Sequence, residues 1–512
     1  MCMKIKLFFI LLLSAVFLFS DAIDKYTLGG LVREDGKSPS FITEKQIEAE
    51  AEVNSSFFIT EGIPPVGNQS SLGSCTCWAL GYYYKTFQEW QEHDWDVTDP
   101  AHQFSPSFLY NQLNGGANYG SFVDDVLLMI EKYGICTMSD MPYTTNYSVY
   151  PDRDDYLNSM YYRSSESHYT LLGDLTQLKQ HLSNGELAVF HIYVYDNFYS
   201  ISSSQQFYAV SLQSGVNRGG HVVTLVGFDD SIATPDGYGA FRCVNSWGTS
   251  WGDNGYWWIT YQAIKYTTYV PIQRFWWSDD RIDYTPQLYV ELNVSHNKRD
   301  IINLALFSNN ETSPNNLVFI NDWYMDGYRT SYPSTFHDYP FPSNDILYDI
   351  SDFYLLKPDS LFFAMEDTIT DSESGYLNSF RAIRITGEEY TAYDTPIEIF
   401  DLDFNDSGIL LDSVASALSQ RDDTLLSSQS DLKESSNKIT FDCSCSILCI
   451  HANSSISKNV YFYDVSGRRV GEINGAEIHK GSNKINLNYL LSPGVYFIRS
   501  GDFTILKITL LD

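Results

Sequence analysis

Cys75 closes the segment Gln69-Ser-Ser-Leu-Gly-Ser-Cys75 and opens a proline-free stretch, Thr76 to Gln91. That stretch carries Leu80, Tyr84 and Phe87 at helical spacing. A cysteine at a helix start is placed to be a nucleophile, because the helix N-terminus and a nearby imidazolium both favour thiolate. A thiolate suits acyl transfer, and acyl transfer needs donors for the oxyanion that develops. Gln69, six positions before Cys75, can offer its side-chain amide, and the backbone N–H of Cys75 can offer a second donor. Two polar residues border later apolar runs: His221 begins His221 to Phe228, and Asn245 follows Ala240 to Val244. Taken singly, a buried cysteine is usually inert core and a histidine on an apolar strand is usually structural. Their combination, in order, carries the catalytic reading.

The segment around Cys75 resembles the active-site cysteine motif of the papain family. Gly219-Gly220-His221-Val-Val-Thr-Leu-Val-Gly227-Phe resembles the strand that bears that family's histidine. Cys243-Val-Asn245-Ser-Trp247-Gly-Thr-Ser-Trp251-Gly-Asp-Asn-Gly255-Tyr256 resembles its asparagine and tryptophan segment, and is the most specific of the three. Ser105-Pro-Ser-Phe-Leu-Tyr110 and the stretch from Asn114-Gly-Gly to Lys132-Tyr-Gly134-Ile match more weakly, and all five keep the family's order. The resemblance implies a two-lobed α+β domain, a helical lobe beside a β-barrel lobe. It also implies a role for each residue. Cys75 attacks the scissile carbonyl and forms a thioester, and His221 pairs with it and protonates the leaving amine. Asn245 orients the imidazole, Trp247 shields that bond from water, and Gln69 helps to bind the oxyanion. His221 lies 221 − 75 = 146 residues after Cys75, within the ~130–150 expected. Asn245 lies 245 − 75 = 170 after it, which implies inserted loops.

The departures matter. Leu72 stands where the family usually has a structural cysteine, and Thr76-Cys77 intervene before Trp78. Cys77-Trp78-Ala79 is therefore a rival nucleophile segment; Cys75 is preferred because Gln69 and Gly73-Ser74 are then correctly placed. The family's pocket for the substrate residue second from the cleaved bond is lined by a glycine of the Asn114 to Gly120 stretch, and both Gly116 and Gly120 are candidates. Asn118 and Tyr119 read as ordinary loop residues. Gly248-Thr-Ser250-Trp-Gly252 is a literal G-x-S-x-G, but a strand follows it where a nucleophile elbow needs a helix. No H-E-x-x-H occurs among the ten histidines. Neither cofactor nor metal is expected.

Several elements must position these groups. Ser121 to Tyr133 reads as a helix with Val123, Val126, Leu127 and Ile130 on one face and Gly134 as its stop. From Glu186 the pattern turns to strands, Leu187 to Tyr195 and then the two runs beside His221 and Asn245. Residues 59–280 make up the expected peptidase-like domain, preceded by a short pro-segment or lead-in at 23–58. Residues 284–406 read as an all-β sandwich of short apolar runs with Asn, Ser and Pro clusters between them. Residues 407–438 read as a linker, and 439–512 as a further set of short strands.

The whole chain has 512 residues, enough for two to four domains. Its 38 Tyr and 31 Phe favour β-rich architecture. A net charge of -32 repels phosphate backbones, so nucleic acid is excluded as a partner class. Residues 1–22 read as a secretory signal: Lys4 and Lys6, an apolar run from Leu7 to Phe19, then Ser20-Asp21-Ala22. That run is short for a bilayer, so no integral membrane segment is expected. Seven cysteines remain beyond the signal, and the odd number implies a free thiol. The last ~70 residues resemble the sorting domain of the type IX secretion system. The motifs are Val460-Tyr-Phe-Tyr-Asp464-Val-Ser-Gly467-Arg468-Arg-Val, Leu490-Leu-Ser-Pro-Gly494-Val-Tyr496-Phe-Ile and Leu506-Lys507-Ile. That resemblance implies export through the periplasm to the surface or exterior of a Gram-negative bacterium, with the type IX machinery as a partner. The combined expectation is a secreted, monomeric cysteine endopeptidase acting on proteins or peptides. The alternatives are a cysteine exopeptidase, and a surface adhesin or binding protein with an inactive fold.

Overall fold

A computed structural model describes residues 26–31, 42–48, 54–173, 175–299, 339–351 and 375–385 with their side chains, and further strands as backbone. The expected signal at 1–22 and linker at 407–438 lie outside the described residues. The chain divides into two compact units: Met1–Thr285 with Trp323–Asn344, and Pro286–Asp322 with Asp345–Asp512.

In the first unit the helix that carries the candidate nucleophile begins at Cys75 itself. Cys75–Cys77 continues into Trp78–Lys85, a wider π-helical stretch, and then into Thr86–His93. Such wide turns inside helices gather at functional sites. Pro106–Leu113 packs beside it, with Pro106 in its first turn and the Ser105 hydroxyl accepting from the Phe108 N–H at 3.3 Å. A third helix, Val123–Tyr133, buries Val126, Leu127 and Ile130 and stops at Gly134, whose φ of 74° suits glycine. The helix expected from Ser121 therefore begins two residues later, because Ser121 and Phe122 are held extended by a neighbouring strand.

The strands of this unit are β1 Gly30–Leu31, β2 Ile42–Glu44, β3 Ser56–Phe58, β4 Ser121–Phe122, β5 Ser164–Leu171 and β6 Ala188–Tyr195, then β7 Phe207–Tyr208, β8 Asn217–Thr234, β9 Gly237–Val244, β10 Tyr256–Thr260 and β11 Arg274–Asp280. Nine of them form one sheet in the order β2-β5-β11-β6-β8-β9-β10-β7, with β3 also on β8. β1 and β4 pair separately and parallel. Helices and sheet meet at the helix that starts at Cys75: Thr224 of β8 donates its hydroxyl to the Ala79 carbonyl at 3.1 Å. Tyr83 donates to the Asn245 carbonyl at 2.8 Å and accepts from the Gly67 N–H at 3.0 Å. The Thr224 and Asn245 bonds are buried and the Gly67 bond is part-buried, and together they fix the helix against the sheet rather than merely filling space.

In the second unit all described strand pairs are antiparallel. Leu288–Ser295 lies between Ile346–Asp349 and Gly375–Arg384, and Ile302–Ser308 lies between Leu317–Phe319 and Leu361–Asp367. The C-terminal stretch forms two further sheets, in which Val460–Asp464 pairs with Gly494–Ser500.

Candidate active site

β8 and β9 bring the histidine and the asparagine together. Thr224 of β8 faces Val244 of β9, so His221 and Asn245 fall at the same end of the hairpin. His221 Nε2 and Asn245 Oδ1 are 2.8 Å apart, and the same oxygen accepts the Ser246 N–H at 2.8 Å. That oxygen is an acceptor, so Nε2 carries the ring proton and Nδ1 presents a lone pair. Nδ1 has no hydrogen-bond partner among the described residues. Trp247 covers the pair, with its ring 5.0 Å from the imidazole and no solvent exposure.

Cys75 is fully buried at the helix start. Its sulfur meets the backbone N–H groups of Val222, Gly29 and Thr76, and Val222 directly follows His221. Burial pushes the thiol up more strongly than these donors pull it down. Burial likewise lowers His221 to about 4, against the upward pull of its bond to Asn245. In this state thiol and imidazole are both neutral. Cys77 lies on another side of the helix, its sulfur 3.7 Å from the Ser121 hydroxyl, and burial pushes it up as well. Of the two cysteines, Cys75 is the one beside the histidine strand.

Gln69 is buried and clamped. Its Oε1 accepts from the Ser246 hydroxyl at 2.7 Å, its N–H donates to the Ser246 carbonyl at 2.7 Å, and its carbonyl accepts from Tyr143 at 2.7 Å. One Nε2 proton goes to the Leu72 carbonyl and the other to the Thr27 carbonyl, both at 2.8 Å. The second proton is thus held by the segment 26–31.

Residues 26–31 lie across this site. Tyr26 stacks on Trp247 with centroids 4.5 Å apart and planes 5° from parallel. Gly29 fits so closely that a Cβ there would stand 1.9 Å from the Gly73 carbonyl oxygen, and its own carbonyl accepts the Ser121 N–H at 2.9 Å. A Cβ on Gly120, whose φ is 101°, would stand 2.3 Å from that same Gly29 oxygen. Gly120 therefore borders the cleft. Gly116 sits in a turn closed by its N–H on Asn114 Oδ1 at 2.9 Å.

Three positions here carried no signal as site residues in the sequence. Asn118 accepts the Gly73 N–H at 2.7 Å and the Tyr110 hydroxyl at 2.6 Å, which fixes the loop before the nucleophile. His191 of β6 reaches the Gly30 carbonyl at 2.9 Å. The segment 26–31 is the third. Two acidic clusters could in principle attract a cation, but each contains a lysine: Lys85 lies 2.7 Å from Glu89, and Lys45 lies 3.1 Å from Asp279 beside His168 and Glu166.

Residues 57–270 match the family model described as papain family cysteine protease, so this part of the chain is a domain of the cysteine-type peptidases. An uncharacterized peptidase C1-like protein of Acanthamoeba polyphaga mimivirus is 28% identical over 210 residues, which are 38% of this chain and 64% of that protein. The chain thus spans less than two thirds of that curated relative. Among solved structures, xylellain, a cysteine protease from Xylella fastidiosa, is similar with 24% identity and a TM-score of 0.42. That match covers 49% of this chain and 95% of xylellain. Procathepsin B S9 from Trypanosoma congolense is similar with 18% identity and a TM-score of 0.40, covering 51% and 89%.

Proposed function

We propose that the chain is a cysteine endopeptidase made as a self-blocked precursor. The observation that carries this reading is the buried His221–Asn245 bond at 2.8 Å, which leaves a bare Nδ1 beside the strand residue that touches Cys75. Once residues 26–31 leave, Cys75 passes its thiol proton to Nδ1 and the sulfur attacks the scissile carbonyl carbon. The oxyanion accepts from Gln69 Nε2 and the Cys75 N–H. As the C–N bond breaks, the imidazolium returns its proton to the leaving amine. Neutral His221 then takes a proton from water, the hydroxide attacks the thioester, and the acid leaves as the thiol is restored. Gly120 borders the acyl side of the cleft and Trp247 its other end.

Residues 26–31 act as the blocking part of a pro-segment within 23–58. The group they offer the sulfur is the Gly29 N–H, which is not a site of attack. An occupant that runs from Trp247 past Cys75 to Phe122 needs a cleft open at both ends, which favours an endopeptidase. Residues 1–22 direct export, 439–512 serve type IX sorting, and 284–406 act as a sandwich-type spacer; these roles rest on sequence pattern and, for the last two, on antiparallel pairing. The test is hydrolysis of an unfolded protein by the full chain carrying Gly29→Leu, which cannot seat the segment. Activity that vanishes with Cys75→Ala and survives Cys77→Ala is expected. Activity that survives Cys75→Ala would overturn the assignment.

A further inference from the structure

Building on the peptidase reading, we propose that His191 selects the substrate: it favours a residue whose side chain ends in a hydrogen-bond acceptor, Asn, Gln, Asp or Glu, where Gly30 now lies. His191 stands on β6 opposite Val222, one residue beyond His221. It is fully buried, its Nε2 lies 2.9 Å from the Gly30 carbonyl, and its Nδ1 has no partner among the described residues. Because the Gly30 oxygen can only accept, Nε2 carries the proton and points into the cleft. A window makes this possible. Gly220 faces Tyr193, and a Cβ on it would stand 2.2 Å from His191 Nε2 and 2.0 Å from the Gly30 oxygen. The glycine before the catalytic histidine lets a side chain of the neighbouring strand reach the occupant.

When the segment leaves, this donor loses the one hydrogen bond its Nε2 makes here. A substrate residue with an acceptor in its side chain restores the bond. An apolar residue of similar size buries the N–H unpaired, and a site built around such a donor rejects that analogue by at least about tenfold. The segment itself satisfies His191 with the Gly30 main-chain carbonyl.

The experiment uses the full chain with Gly29→Leu and peptide libraries varied singly on the acyl side of the cleaved bond. At one position, Asn, Gln, Asp and Glu are expected to exceed Leu and Val by about tenfold or more in kcat/KM. His191→Leu is expected to erase that preference and His191→Gln to restore it for acceptors. Gly220→Ala, which pushes the ring away from the cleft, is expected to erase it also and stands in if His191→Leu does not fold. An unchanged profile in both His191→Leu and Gly220→Ala overturns the proposal. If no peptide is cleaved although iodoacetamide still labels Cys75, the peptidase reading fails. Binding of the same peptides to the Gly29→Leu, Cys75→Ala chain then decides the His191 claim by itself: equal affinity for Asn and Leu peptides overturns it.

Discussion

Gln69 shows most clearly how firmly a single side chain is held. Four hydrogen bonds hold its backbone and Oε1 side, and the one Nε2 proton not bound to Leu72 faces the Thr27 carbonyl. A donor that is already oriented costs no reorganisation when the oxyanion forms. In the opened chain Gln69→Ala is therefore expected to lower kcat by roughly 10²–10³ with little change in KM, measured on one peptide. A loss confined to KM would mean that Gln69 only binds substrate. At this scale the short motifs of the sequence singled out Cys75, His221, Asn245 and Gln69, and the fold sets His221 2.8 Å from Asn245 and Gln69 2.7 Å from Ser246. The sequence was silent for Asn118 and His191, because a loop asparagine and a strand histidine look structural until their neighbours across the fold are known. Asn118 acts on Gly73 at 45 residues' separation and His191 on Gly30 at 161.

At the scale of elements, the pairing of β1 with β4 is what the proposed blocked state rests on. Ser121 and Phe122 look like the first turn of the helix that follows, yet pairing with Gly30 and Leu31 draws them into a strand. Tyr26-Thr-Leu-Gly-Gly-Leu31 has no periodicity that announces this role; its two glycines matter because backbone lies on both sides of them. The strands beside His221 and Asn245 were legible as apolar runs, although β8 extends further at both ends, over Asn217–Thr234. The widened turn at Trp78–Lys85, whose residues are all buried, has no composition signal.

The segment also ties the cleft to pH. Burial lowers both His191 and His221 to about 4, and exposure of the rings on release of the segment is expected to return each toward its ordinary value near 6.5. The blocked state thus binds fewer protons than the open one between pH 6.5 and 4. Blocking is full above about 6.5 and weakens as pH falls toward 4. The other titratable groups around Cys75, namely Cys77, Tyr110 and Tyr143, are pushed up by burial as Cys75 is, so they stay neutral across this range. Hydrogen exchange checks the sign: protection of the 26–31 amides should fall by at least about tenfold relative to Val123–Tyr133 between pH 7 and pH 4.5. Equal protection at both values would contradict it.

For the molecule as a whole, the described part combines one unit that carries the chemistry with a second whose described strands pair antiparallel throughout. Among the described residues no helix is long and apolar enough to cross a membrane. The four described cysteines, Cys75, Cys77, Cys136 and Cys243, are all buried free thiols. Only one of them touches the cleft occupant, so a thiol reagent that needs an activated cysteine should distinguish it from the rest. The most direct measurement is labelling of the full chain with an epoxysuccinyl thiol-protease inhibitor, followed by peptide mapping, with the native sequence beside Gly29→Leu. The account requires modification at Cys75 alone, at least about tenfold faster once Gly29→Leu has displaced the segment. Labelling at Cys77, or none at either cysteine in a folded Gly29→Leu chain, would contradict it.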